Sequence, residues 1–407
     1  MKLFMSNVRE CVMSIPINER DEDWIKQNFC PAPWINISTD VNGSIRPCCR
    51  YEQPERQREY QMPWMFSNNT LHQDYNGIEM QKLRKAFLRG KKPYECNWCW
   101  SEESVGIKSF RQKYLEREYE IDWEKDDHSP QILDLKLSNV CNLKCRMCGP
   151  RASSLIAKEE EAQNPNLERP AKENQGYFQS FKIMNTGNEQ EFFDLWAANI
   201  KELELTGGEP FFSIENKMLI DALLESNHCE HIDLLITTNA MFYIPALMEK
   251  MKKFKRVRFS LSIDDIGTRL EYARSGAKWD IIRKNITEMT TNYSEFDIKI
   301  YRTINNFNIY HLQELDDWAM DNNIQVIDGF LHEAKELCIQ YLPDWAKEEV
   351  NEKYKNSNSY QHILDFMNVD MPHLLLKFIR ETKKLDKIRN ENYREIDPEW
   401  SEILMYE

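Results

Sequence analysis

The stretch ILDLKLSNVCNLKCRMC, residues 132–148, decides the reading. Its first six residues form a short apolar run that ends at the turn formers Ser138 and Asn139, the pattern of a buried strand. Three cysteines follow within eight positions, Cys141, Cys145 and Cys148. A loop this short can turn three soft thiolates toward one centre, where they take three corners of an iron-sulfur cubane. One iron then lacks a protein ligand and is open to a small molecule offering an amine and a carboxylate. A structural zinc site needs a fourth thiolate or imidazole, and none follows the triplet closely.

Outward from this loop, short apolar segments at 132–137, 201–205, 232–237, 257–263, 298–303 and 324–327 alternate with helical stretches at 214–226, 244–254, 279–290 and 310–321. That alternation is the signature of a parallel sheet wound by crossovers. The expectation is an α/β fold, a partial (β/α)6 TIM-like barrel over 126–330, with function at the C-terminal ends of its strands. A polar segment at 151–191 interrupts the first crossover as an insertion or lid. Residues 1–125 form a small N-terminal module, and 331–407 a charged helical C-terminal tail punctuated by Pro343, Pro372 and Pro398.

Composition narrows the class. Hydrophobic residues at 41% and aromatics at 12% describe a globular chain of 407 residues. With 53 basic against 67 acidic side chains the net charge is -14, which repels phosphate backbones, so duplex nucleic acid is not an expected partner. No run of about 18 apolar residues marks a membrane span, and the N-terminus does not read as a secretory signal. A cytoplasmic location follows. Eleven cysteines, several at Cys-x-x-Cys spacing, point to metal or cluster ligation rather than disulfides.

Cys-x-x-x-Cys-x-x-Cys after the first strand, with LTGGEP (205–210) after the second, resembles the radical S-adenosylmethionine superfamily. The resemblance implies a 4Fe-4S cluster whose open iron binds the methionine moiety of S-adenosylmethionine. Reductive cleavage of the cofactor then yields a 5'-deoxyadenosyl radical that abstracts hydrogen from substrate. It also implies roles for residues: Thr206, Gly207, Gly208, Glu209 and Pro210 around the methionine amino group, and Met147 near the adenine, where an aromatic is more usual. TTN at 237–239 and SLSID at 260–264 fall where the family contacts the cofactor, which brings in Asn239, Asp264 and Ser262, the last for the ribose. RSGAKWD (274–280) resembles a segment of the peptide-modifying branch in which Arg274 pairs with the methionine carboxylate, a pairing suited to a guanidinium fork.

A second set of cysteines precedes the barrel: Cys30 in FCPAPW (29–34), Cys48 and Cys49 in GSIRPCC (43–49), and Cys96 and Cys99 in CNWCW (96–100), with a short amphipathic helix at 80–90 between them. Spacing alone allows zinc or iron-sulfur. The strings resemble the auxiliary-cluster region of SPASM and twitch modules, which implies one auxiliary 4Fe-4S cluster on Cys30, Cys48, Cys96 and Cys99, with Cys49 able to replace Cys48. In most relatives that module follows the barrel, and here it comes first. Trp34, Trp98 and Trp100 read as packing around it, and Cys11, Cys229 and Cys338 as small buried hydrophobes. Cys338 is also a candidate thiol hydrogen donor for an epimerase.

The functional expectation is a radical enzyme acting on a peptide, by crosslinking, epimerisation or related chemistry, with an electron donor such as flavodoxin or ferredoxin. A radical dehydrogenase or epimerase of a small molecule or sugar is the alternative, and a zinc-stabilised binding protein a remote one. No winged-helix leader-binding domain fits into the 29 residues before Cys30, so a peptide leader is expected on the tail, the insertion or a separate protein.

Overall fold

The computed structural model describes residues 20–41, 45–51, 71–104, 106–122, 125–166 and 196–406. Cys11, Gly43, Ser44 and most of the 151–191 insertion lie outside the described residues. Ten strands appear in chain order: β1 Asn36–Thr39, β2 Ile45–Arg46, β3 Ile132–Lys136, β4 Lys144–Cys145, β5 Glu202–Thr206, β6 Asp233–Thr238, β7 Arg256–Leu261, β8 Arg274–Ser275, β9 Asp297–Ile304 and β10 Gln325–Phe330. Eight of them make one sheet in the order β10-β9-β7-β6-β5-β3-β1-β2, and β4 pairs with β8 apart from it. Every neighbouring pair in the large sheet is parallel except β1 and β2. The six segments read as strands are thus the six sequential parallel strands β3, β5, β6, β7, β9 and β10. The sheet is open, with β10 and β2 at its two ends.

Strict alternation gives the sheet two different faces. Leu203, Leu205, Leu234, Ile236, Phe259, Leu261 and Ile300 are no more than 1% exposed and join one core with Leu219, Ile220 and Leu223 of the helix Ile214–Glu225. Burying each such side chain contributes roughly 1.5–3 kcal/mol. The residues between them, Glu204, Thr206, Thr237, Ser260, Ser262, Lys299 and Tyr301, are half-buried and polar. They belong to the opposite face. Helix Trp279–Asn292 buries Ile282, Ile286 and Met289 along one stripe. Helix starts are fixed locally: Ser213 accepts from the Asn216 N–H, and Ser109 forms a capping box with Gln112.

The N-terminal segment is built into the sheet. β1 pairs in parallel with β3, Asn36 opposite Ile132 and Ser38 opposite Asp134, and the Ser38 hydroxyl donates to Asp134 at 2.8 Å. Phe29, Trp34, Ile35 and Ile37 share the core with the barrel strands. The tail folds into helices that include Asp344–Tyr354, Gln361–Met367 and Leu375–Arg389, around a second core containing Phe378, Tyr393 and Trp400. No helix among the described residues is long and apolar enough to cross a membrane.

Candidate functional site

Parallel strands deliver all their C-terminal ends to one edge, and there the motif segments meet. The loop after β3 carries the three cysteines. The loop after β5 is stitched to it by two backbone bonds, Gly208 N–H to Ser138 O and Glu209 N–H to Val140 O, both 2.8 Å. This contact requires glycine twice. A Cβ on Gly207, whose φ is +119°, would lie 2.5 Å from Ser138 O, and one on Gly208 would lie 2.3 Å from Val140 O. The glycine pair thus lets this loop approach the cysteine loop closely.

Glu209 is 1% exposed and both of its carboxylate oxygens accept hydrogen bonds. The Thr238 hydroxyl donates to Oε1 at 2.7 Å and the Asn239 N–H to Oε2 at 2.9 Å. Burial pushes its pKa up to about 6 against these hydrogen bonds. Asn239, just past β6, also donates through Nδ2 to Asn142 Oδ1 at 2.8 Å, which ties a third strand end to the cysteine loop. Asn142 was not singled out from the sequence, where an Asn between cysteines carries no distinctive signal. Pro210 opens the one-turn helix Pro210–Phe212 and is buried. The Thr206 hydroxyl faces Asp134 at 3.5 Å.

The fourth link is the two-residue ladder of β4 and β8, in which Cys145 stands opposite Arg274. Arg274 Nη1 lies 3.7 Å from Cys145 Sγ, and Nε donates to Asp264 Oδ2 at 2.7 Å. Asp264 Oδ1 accepts from the Thr303 N–H at 2.8 Å, so Asp264 orients Arg274. Burial opposes the Arg274 cation, but Asp264 and the cysteine thiols hold it protonated. The Cys145 thiol falls to about 7, chiefly through its hydrogen bond with Cys148 and then through Arg274, while burial drives Cys141 up to about 11. Ser262 donates its N–H to Thr238 O at 2.8 Å and keeps a half-buried hydroxyl at the end of β7. Met147 packs against both cores.

The residues fit the group that the spacing implies. Three thiols sit on one loop, a guanidinium faces them, and a glycine pair leaves no side chain between two of the loops. Among the described residues no three or more His, Cys, Asp or Glu converge as ligands of a single metal ion.

The second set also assembles. Burial raises the thiols of Cys30, Cys48, Cys96 and Cys99, and the charge of Cys99 bears on Cys30, those of Cys99 and Cys30 on Cys48, and those of Cys48, Cys30 and Cys99 on Cys96. On Cys49 the charges that bear, after burial, are those of Asp134, Cys48 and Glu204. Arg111 gathers the segments: it donates to Phe29 O at 2.7 Å and Lys26 O at 2.6 Å, forks onto Glu103, and stacks over Trp100 at 4.5 Å. At the far edge of the sheet His332, beyond β10, bonds Glu102 at 3.1 Å and stacks on Trp98 at 5.0 Å. Cys338 is not brought to either group: its thiol, pushed up to about 12 by burial, bonds the carbonyls of Glu333 and Ala334 in its own turn.

Residues 135–305 match the family described as Radical SAM superfamily. A search of the curated proteins found no match. Among solved structures, anSMEcpe with bound AdoMet and Cp18Cys peptide is similar at 13% identity and TM-score 0.38, covering 61% of this chain and 64% of that one. Streptococcus suis SuiB bound to S-adenosylmethionine is similar at 18% identity and TM-score 0.35, covering 73% and 52%. The same protein bound to precursor peptide SuiA gives 17%, 0.37, 70% and 60%. The chain thus spans about half to just under two thirds of the length of these structures.

Proposed function

We propose that this chain is a radical S-adenosylmethionine enzyme that modifies a peptide, with a cleavage cluster on Cys141, Cys145 and Cys148 and an auxiliary 4Fe-4S cluster on Cys30, Cys48, Cys96 and Cys99. The observation that carries it is the convergence of three segments on the cysteine loop: Gly208 and Glu209, Asn239, and Arg274 each bond or face that loop directly. The cluster, when bound, supplies the electron for reductive cleavage of S-adenosylmethionine and the open iron that seats its amino acid end.

The chain's own residues do the rest. Arg274 offers a guanidinium to a carboxylate beside Cys145, and Asp264 keeps it aimed there. Glu209, held by Thr238 and Asn239, places an acceptor for an ammonium group at the glycine loop. Ser262 presents a hydroxyl at the end of β7. The polar face of the sheet, with Tyr301 and Glu204, receives the substrate, and burial among aromatics shields the auxiliary group from water. Support for a peptide comes from the Arg274, Gly276, Trp279 and Asp280 pattern. The electron donor on this reading is a small cytoplasmic protein such as a flavodoxin or ferredoxin.

Anaerobic reconstitution tests the proposal. The reduced protein should cleave S-adenosylmethionine, and alanine at Cys141, Cys145 and Cys148 together should abolish cleavage. A colourless protein with stoichiometric zinc and no cleavage would instead make it a zinc-stabilised binding protein.

A further inference from the structure

The tail residues Asp386, Arg389 and Glu391 grip the cysteine loop from a distance of more than 200 positions in sequence. Arg389 Nη1 donates to the backbone carbonyl of Lys144 at 2.9 Å, and its Nη2 pairs with Glu159 at 2.7 Å. Glu159 in turn takes Lys144 Nζ at 2.6 Å. Arg146, between Cys145 and Met147, donates to Asp386 at 2.6 Å and to Glu391, and lies 3.6 Å over the Tyr272 ring. Asp386 is itself fixed by Tyr272 Oη at 2.7 Å, Tyr406 Oη at 2.8 Å and the Tyr393 N–H at 2.9 Å. Glu391 also accepts from Ser275 on β8 at 2.9 Å.

The side chains of Arg146 and Arg389 are 1% and 3% exposed and those of Asp386 and Glu159 9% and 8%, with Glu391 and Lys144 at the margin, 24% and 31% exposed. Three cations, Lys144, Arg146 and Arg389, meet three carboxylates, Glu159, Asp386 and Glu391, and the net charge is zero. Removing one member therefore leaves an uncompensated buried charge against the loop. The loop is held on two sides at the same residues. β8 and the Ala273 carbonyl, which takes the Arg146 N–H at 2.8 Å, hold one edge of Lys144–Cys145–Arg146, and the tail holds the other.

We propose that the C-terminal segment 375–406 is a positioning element of the cleavage site, in which Asp386, Arg389 and Glu391 fix the backbone around Cys145 so that the thiolate triplet is preorganised for its cluster. The proposal rests on the radical reading of that triplet. Tail and cluster loop then form one unit, and a change in the tail acts on the cofactor without touching it.

Hydrogen exchange of the cluster-free protein is the primary readout, because it does not depend on cofactor loading. In Arg389→Met and Asp386→Asn, amides of 142–148 should exchange at least about tenfold faster while β5, β6 and β7 keep wild-type rates. After reconstitution the same variants should hold about half the wild-type iron, retaining the auxiliary cluster and losing the cleavage cluster, and Arg389→Lys should recover part of it. Wild-type exchange in the loop of both variants overturns the proposal. So does exchange that rises equally across the sheet, which is the mark of a general stabilising role. If the wild-type protein itself takes up no cluster on the triplet, the radical reading fails, while a loop-specific rise in exchange still establishes the grip.

Discussion

Arg274 and Cys145 face each other across a two-residue antiparallel ladder, with the guanidinium 3.7 Å from the sulfur and its other side bonded to Asp264 at 2.7 Å. The pair joins the last strand-end segment of the motif set to the cysteine loop. It also places a buried cation that faces the thiol of Cys145 within a carboxylate-fixed geometry.

Replacing Arg274 by Met removes that cation and leaves Asp264, which is 2% exposed, without its ion partner. Loss of about 3–5 kcal/mol in urea unfolding is expected. The double variant with Asp264→Asn should recover a measurable part, because the two effects are coupled. Arg274→Lys keeps the charge but not the fork, and equilibrium binding of S-adenosylmethionine should weaken roughly tenfold or more.

At Gly208 the space is already taken by the Asn139–Val140 backbone, with Asn139 C 2.6 Å from the site of a Cβ. Gly208→Ala must push the two loops apart. Overpacking of this kind costs about 1–3 kcal/mol, and the displaced cysteine loop should lose iron on reconstitution together with cleavage activity. A variant that reconstitutes and cleaves normally would show that the contact is dispensable.

Cys48 and Cys49 are neighbours, but Cys30 and Cys99 bear on the first and Glu204 on the second. Cys48→Ala should abolish the auxiliary cluster, whereas Cys49→Ala should keep it, and iron per chain with visible absorbance distinguishes the two. Reductive cleavage of S-adenosylmethionine should persist in both, as it should when Cys96 and Cys99 are changed together. Loss of the auxiliary cluster in Cys49→Ala would reassign the ligand.

Glu204 gives a pH signature. Burial, then Asp134 and Glu202, raise its carboxyl from 4.5 to about 8. Between these values the folded chain holds a proton that the unfolded chain has released, so stability falls as pH rises through the window. The difference in unfolding free energy between wild type and Glu204→Gln should therefore slope across pH 4.5–8 and flatten outside it. A difference independent of pH would place the Glu204 proton elsewhere.

The six sequential parallel strands were legible because each is a short apolar run with a period of two, bounded by turn residues, and because a crossover helix separates it from the next. The cysteine loop and the glycine pair were legible because their chemistry allows few other residues. β1 was not: NIST at 36–39 is buried throughout, and its polar residues acquire meaning only when Ser38 meets Asp134 on β3. Adjacency in sequence likewise could not separate Cys48 from Cys49, which depends on which side of the backbone faces the other thiols.

The tail shows the same division from the other end. Its charge and helical character stand in the sequence, yet nothing local distinguishes Asp386, Arg389 or Glu391 from a solvated helix face. Local pattern determined the strands, the helices and the ligand-bearing loop, since those depend on neighbours within a few residues. Only the tertiary structure decided that Arg146 and the Lys144 carbonyl are buried against the tail, because a buried charge needs a partner and that partner comes from a segment brought near by packing alone.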